Sequence, residues 1–192
     1  MCQAAGMAEV DSDRRTGIHA AAVTVFSAQG FSATSMADIA EAAGVSRPAL
    51  YQYFDNKADI FRSAFVALFD ASVDAALEAL AADGPINQRL DGYLQRFDGD
   101  FWERTAASPH SEEIMRAKVA HAAADVAMVI DRLRRGLADQ LATWTTDEQR
   151  RRDWAELLEH APKGFKWDDP SVADYRRRLT ALANSVAADI ER

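Results

Sequence analysis

Apolar residues recur at three- and four-residue steps along nearly the whole chain, lapsing only where glycine, proline or a small polar cluster intervenes. That spacing puts the apolar side chains on one stripe of an α-helix, so the chain reads as a succession of amphipathic helices. Composition agrees: alanine, the best helix former, occurs 39 times, while the 9 glycines and 5 prolines fall below their average share. The expected fold is therefore all-α.

About nine helices can be marked out. The first runs from about residue 12 to 29, on Ile18, Ala21, Ala22, Val25 and Phe26, and ends near Gly30 after a disordered-looking start. A short second helix follows the capping hydroxyls of Thr34 and Ser35, carries Met36, Ile39, Ala40 and Ala43 on one face, and stops at Gly44. The third is capped by Ser46, has Pro48 in its first turn and buries Leu50 and Phe54. A long fourth, capped by Asn56 with Asp59 at its third position, reaches about residue 82 before Gly84-Pro85. The fifth holds Ile86 to Phe101, and Ser108-Pro109 breaks the chain again. Two more follow at about 112–120 and 123–143; an eighth, capped by Thr146, is disturbed at Pro162, and a ninth runs from Val172 to Ile190. With no repeat and no Pro- or Ser-rich linker, the natural division lies near residue 56, between short helices with tight turns and a bundle of long ones.

The formal charge of −8, from 22 basic and 30 acidic side chains, gives the chain no net attraction for polyanions, so any nucleic-acid contact must be a local surface. The single cysteine, Cys2, allows neither an intrachain disulfide nor a cysteine metal site, which suits a reducing cytoplasm. No run is long enough to span a membrane, and no basic-then-apolar leader opens the chain. Histidines 19, 110, 121 and 160 never form a Glu-x-x-His pair, and neither a phosphate loop nor a nucleophile elbow occurs. Neither an enzyme, a metal nor a cofactor is expected.

Between Thr34 and Phe54, two short helices meeting through Gly44-Val45-Ser46 have the form of a helix-turn-helix, although helix pairs in any bundle use such turns. The run Thr-Ser-Met-Ala-Asp-Ile-Ala-Glu-Ala-Ala-Gly-Val-Ser-Arg-Pro-Ala-Leu-Tyr-Gln-Tyr-Phe from Thr34 to Phe54, with Ile18, Phe26, Gly30-Phe31, Lys57 and Ile60-Phe61 around it, resembles the DNA-binding domain of the tetracycline-repressor (TetR) family of transcriptional regulators. The resemblance covers about a quarter of the chain. It implies a helix-turn-helix head at 12–56 and a helical effector-binding and dimerisation body at 57–192.

Carried over, the resemblance makes Arg47 to Tyr53 the recognition helix, with Tyr51, Tyr53 and Lys57 at phosphate-contacting positions and Thr34 and Ser46 at further backbone contacts. Side-chain chemistry fits: a phenol or hydroxyl donates one bond to a phosphate oxygen, while Arg47 can make two bonds to guanine and Gln52 two to adenine. Pro48 or Ala49 can touch a thymine methyl. Pro48 departs from the family, which commonly has a small residue such as glycine there, and His19 stands where the family has an apolar residue; no function is assigned to it. Residues 1–62 hold five basic against seven acidic side chains, so the head relies on base readout and dimerisation rather than on counterion release. Arg14 and Arg15 either reach the DNA or are a solvated pair.

The family also implies an effector cavity among helices four to seven. Its expected lining is Phe65, Phe69, Tyr93, Phe97 and Phe101, with Trp102, Met115, His121 and Met128, against the alternative that these are simply core. Gly92 and Gly99 fit a cavity-lining helix. A homodimer is expected on helices eight and nine, through Trp154, Leu157 and Leu158 and the stripe Val172, Tyr175, Leu179, Leu182, Val186 and Ile190, unless the subunit's own core absorbs that stripe. The expected function is a sequence-specific regulator, a repressor released from a palindromic operator when a small apolar effector moves helix four. The alternatives are a helical adaptor or an enzyme without DNA binding.

Overall fold

The computed structural model describes residues 2–192, with the side chains of residue 11 and of 13 onward, and among them it contains nine helices and no strand. They are α1 (Cys2–Ala33), α2 (Met36–Ala42), α3 (Arg47–Tyr51), α4 (Lys57–Ala81), α5, α6 (Ser111–His121), α7 (Ala123–Trp144), α8 (Glu148–Gly164) and α9 (Val172–Ile190). α5 is one continuous rod of three runs, Ile86–Leu94, a π-helical turn Gln95–Gly99, and Asp100–Ala106. The all-α reading holds. None of these helices is long and apolar enough to cross a membrane.

Two compact units divide the chain. One gathers the residues up to Leu68 with Ser108–Val126; the other holds Phe69–Ala107 and Ala127–Arg192. The first is therefore larger than the sequence segment 12–56, because α6 and its leading turn pack on α1.

In this head unit α1 starts at Cys2, ahead of the expected residue 12, since Ala4, Ala5, Met7, Ala8 and Glu9 are all good helix formers. Its helical geometry breaks at Gly30 (φ 80°, ψ 167°), a conformation open essentially to glycine alone. Ile18, Ala22, Val25 and Phe26 face inward to meet Ile39, Leu50, Phe54, Ile60 and Phe61. The Phe61 ring stands edge-on to Phe26 at 5.1 Å and to Phe31 at 5.2 Å and stacks on Phe65 at 4.7 Å. The segment leading into α6 is tied to the end of α1: Ser108 Oγ donates to the Ser27 carbonyl (2.8 Å), and the Ser32 amide donates to Glu113 (2.6 Å).

In the second unit α5 and α9 are the main packed pair, with Leu90, Tyr93 and Leu94 of α5 and Tyr175, Leu179, Leu182 and Val186 of α9 buried. A polar seam runs beside this core. Gln95 Nε2 donates to the Arg176 carbonyl (3.0 Å) and Thr180 Oγ1 (3.2 Å), while Arg176 donates to Gln95 (3.0 Å), Asp100 (2.8 Å) and Glu103 (2.6 Å). Trp154 and Leu158 are buried too, and the Trp154 indole donates to Asp189 (2.9 Å).

This corrects the expected dimer surface: most of the α9 stripe is absorbed by α5 of the same chain. Val172 and Ile190 are only partly covered, and Leu157, 45% exposed, is the one large residue of the set facing solvent. The two helix-five glycines also find other reasons. A methyl group on Gly92 would lie 2.9 Å from the Ala79 methyl of α4, so close packing requires this glycine, while one on Gly99 would displace only the side-chain ends of Arg176 and Gln95.

Smaller differences are local. α8 is capped by Asp147, which accepts from the Arg150 amide, rather than by Thr146. It also runs through Pro162, whose buried carbonyl accepts from the Tyr175 hydroxyl at 3.2 Å.

Candidate nucleic-acid interface and effector cavity

The helix-turn-helix is built by three local devices. Ser35 and Asp38 form a reciprocal capping box that fixes the start of α2. Gly44, at φ 64°, turns the chain, and the Val45 amide bonds back to the Ala40 carbonyl at 3.0 Å. Ser46 then caps α3 by accepting from the Ala49 amide. Leu50 and Phe54, fully or nearly fully buried, pin α3 to the head core and set which side turns outward.

That outward side carries Ser46, Arg47, Pro48, Tyr51 and Gln52, all exposed, with Ala49 and Tyr53 half-buried beside them. The Arg47 guanidinium lies 5.8 Å from the Tyr51 ring centre, a cation–π distance that holds both side chains on the surface. α3 is regular only to Tyr51; Gln52 closes it, and the amides of Tyr53 and Phe54 both donate to the Leu50 carbonyl. The Arg15 guanidinium lies 6.0 Å from the Tyr53 ring and 5.1 Å from Phe54, which gives this arginine a partner on α3's side of the head. Arg14 is exposed.

Two expected phosphate-side residues are occupied inside the fold. Thr34 is 1% exposed and its hydroxyl donates to the Gly30 carbonyl at 2.6 Å, so it stitches the broken end of α1. Lys57 directs its ammonium to the carbonyls of Phe31 (2.9 Å), Ser32 (2.9 Å) and Thr34 (2.8 Å), and sits 4.9 Å from the Phe31 ring centre. The cation satisfies carbonyls that the end of a helix leaves open. His19, half-buried, meets Ser63 Oγ at 2.6 Å and Phe54 at 5.7 Å between ring centres; burial, then the charge of Arg15, lowers its pKa from 6.5.

The second unit contains a cavity of about 240 Å³ among α5, α7 and α8, which takes in two of the four helices expected to enclose it, the fifth and seventh, and adds the eighth. Its wall is mostly apolar, with Tyr93 and Phe97 from α5, Ile130, Leu133 and Leu137 from α7, and Ala155 and Leu158 from α8. Four charged residues complete it: Asp98, Arg134, Glu159 and Lys163. Glu159 accepts from Arg134 (2.6 and 2.9 Å) and Lys163 (3.1 Å), and these bonds, Arg134 first, hold its carboxyl down at about 2. Asp98 differs, because burial pushes its carboxyl up to about 6, with Lys166 and Lys163 only partly opposing.

Of the nine residues expected around a cavity, Tyr93 and Phe97 line this one. Phe65 belongs to the head unit, where it is stacked on Phe61. Phe69 packs in the core against Phe97 and Phe101 at 6.2 and 5.2 Å, and the half-buried Trp102 lies against Tyr175 at 5.4 Å. Met115 is half-covered on α6, His121 is exposed beside the Phe31 ring, and Met128 is 66% exposed on α7. The size of a side chain does not distinguish a cavity wall from a filled core. The missed signal was Asp98, an acid placed between Leu94 and Phe101 on the inward stripe of α5.

Residues 18–64 match the family model for bacterial regulatory proteins of the tetR family. The chain is 34% identical over 85 residues to the transcriptional activator FasR of Mycolicibacterium smegmatis, covering 44% of this chain and 39% of FasR. It is 30% identical over 74 residues to the negative regulator IcaR of Staphylococcus epidermidis, 38% of each chain. The regulator AcrR of Shigella flexneri is 52% identical over 40 residues, 21% of this chain and 19% of AcrR. These matches span about two fifths or less of the relatives' length.

The whole fold is similar to a TetR-family regulator from Rhodococcus sp. (TM-score 0.64, 20% identity, 91% of this chain and 99% of that one). It is also similar to the fatty acid degradation regulator FadR of Bacillus halodurans (TM-score 0.57, 20% identity, 92% and 94%). The helix-turn-helix of α2 and α3 thus lies within a segment, Ile18 to Ala64, that matches the tetR-family model, and the fold as a whole is similar to that of TetR-family regulators.

Proposed function

We propose that this protein is a sequence-specific DNA-binding repressor of the cytoplasm, acting as a homodimer on a palindromic operator and released by a small effector held in the second unit. The observation that carries the reading is the row Arg47, Pro48, Tyr51 and Gln52, exposed on the second helix of a helix-turn-helix whose other side is fixed by buried Leu50 and Phe54. Arg47 and Gln52 read bases, Ala49 and Pro48 meet a thymine methyl, and Ser46, Tyr51 and Tyr53 hold phosphates. With most of the α9 stripe buried, the dimer uses the outward sides of α8 and α9, where Leu157, Ala181, Ser185 and Ala188 are exposed. A symmetric pair of heads then engages two half-sites about 34 Å apart.

Fluorescence anisotropy with the DNA upstream of the protein's own coding region tests the reading. Specific binding is expected, and Arg47→Ala is expected to cost about 1–3 kcal/mol and to relax preference at one base position. Equal losses on every operator variant would remove Arg47 from base readout. No preference for that DNA over random duplex, together with no enriched fragment in a genomic selection, would favour the adaptor alternative.

A further inference from the structure

We propose that the cavity among α5, α7 and α8 takes a small organic cation, an aromatic or aliphatic body bearing an ammonium group, with Asp98 as its counter-ion. The inference rests on reading this cavity as the effector site and specifies the charge of what enters it.

The wall decides the body of the ligand. Tyr93, Phe97, Leu133, Leu137 and Leu158 offer rings and branched aliphatic surface, and about 240 Å³ lies near the lower end of small-molecule sites, room for one ring and a compact head group.

The charged residues decide the head group, and they are not equivalent. Arg134 and Lys163 are 53% and 63% exposed and both are bound to Glu159, so these three form a solvent-facing rim with its bonds already made. Asp98 is 19% exposed, and its nearest cation, Lys166, stands at 3.7 Å, longer than the 2.6–3.1 Å bonds made by Glu159. Lys166 is outside the cavity wall. Its ammonium lies over the rings of Phe101 (5.8 Å), Trp102 (5.7 Å) and Tyr175 (5.2 Å), and burial lowers its pKa. The mostly apolar cavity wall thus carries a largely buried acid that its own chain compensates only in part.

Such a carboxylate is costly to bury charged, whereas a cation entering beside it adds to the partial compensation that Lys166 supplies. Tyr93 and Phe97 belong to the same wall, and aromatic rings favour an ammonium once water has left. The groups facing Asp98 are Tyr93 from its own helix, Lys163 and Lys166 from the end of α8 and the turn after it, and Tyr175 from α9. Neither phenol titrates in the range used below, since burial raises both.

Calorimetric titration of the full-length protein with benzyltrimethylammonium, its neutral isostere neopentylbenzene and the anion 4-phenylbutyrate tests the proposal. The cation is expected to bind most tightly at pH 7.5, to weaken about fourfold by pH 5.5 as Asp98 takes up its proton near 6, and to lose about tenfold in Asp98→Asn. The wild-type pH series carries the test by itself if the variant does not fold. Tighter binding of the neutral compound or of the anion, or an affinity indifferent both to pH and to Asp98→Asn, overturns the cation and leaves the effector cavity standing. Binding of none of the three overturns both, leaving the DNA-binding reading untouched.

Discussion

Replacing Lys57 by methionine separates two roles that the sequence alone could not distinguish. As a phosphate contact, Lys57 would contribute to DNA affinity and nothing to the stability of the head. As found, its ammonium donates three hydrogen bonds of 2.8–2.9 Å to carbonyls at the end of α1 and lies on the Phe31 ring. A hydrogen bond to a charged group is worth about 1.5–3 kcal/mol net. The three share one half-buried ammonium, and the Ser32 carbonyl belongs to an exposed residue that water can reach, so the sum falls well short of three times that figure. Methionine keeps the stem packed on Phe31 and removes the donors, for an expected loss of about 2–4 kcal/mol. At about 2–4 °C per kcal/mol for a chain of this size, Tm should fall by roughly 4–16 °C. Operator affinity would be measured against salt on the still-folded variant. The slope of log K on log salt should stay within experimental error of the wild type, whereas a lost phosphate contact reduces it by about 0.9. An unchanged Tm with a slope reduced by that amount would refute the capping role and return Lys57 to the DNA.

Gly30→Ala should destabilise the head by at least about 1–3 kcal/mol, because the new side chain must adopt a glycine-only conformation and its methyl would collide with the Glu113 carboxylate; a melt within 1 °C of the wild type would show that the break in α1 relaxes freely. His19 has a folded pKa below its unfolded value, so its neutral, buried form contributes stability in full above pH 6.5 and loses it as pH falls through the folded value. His19→Gln should therefore flatten the decline in urea midpoint between pH 7 and 5.5, and an unchanged decline would assign it to other groups.

Local punctuation was the most legible part of the chain. Ser35, Gly44, Ser46, Asn56 and Gly84 each act within a few residues of themselves, and the helix ends fall close to where they predict. An apolar stripe, by contrast, says that a face is covered but not by what. Tyr175, Leu179, Leu182 and Val186 read equally well as a dimer surface or as the partner of α5, and only the fold decides between them. Lys57 presents a related ambiguity, since a motif fixes a residue's position and not the direction of a long flexible side chain. Asp98 was overlooked because a single carboxylate among apolar neighbours resembles an ordinary surface acid until the depth of its position is known.

The head is closed by residues far along the chain. Ser108 and Glu113 fasten the end of α1, and Ile114 and Ala117 are buried within the same compact unit. During synthesis, α1 to α3 leave the ribosome first, yet the surface they offer to Ile114 and Ala117 stays uncovered until that later segment has also emerged. For some forty intervening residues, Phe69–Ala107, the nascent head must persist without its last helix. Closing so long a loop is entropically costly and raises the contact order of an otherwise local, fast-folding helical fold. The helix-turn-helix unit, although encoded ahead of α6, is thus completed late, and a fragment cut at residue 68 would leave that surface bare.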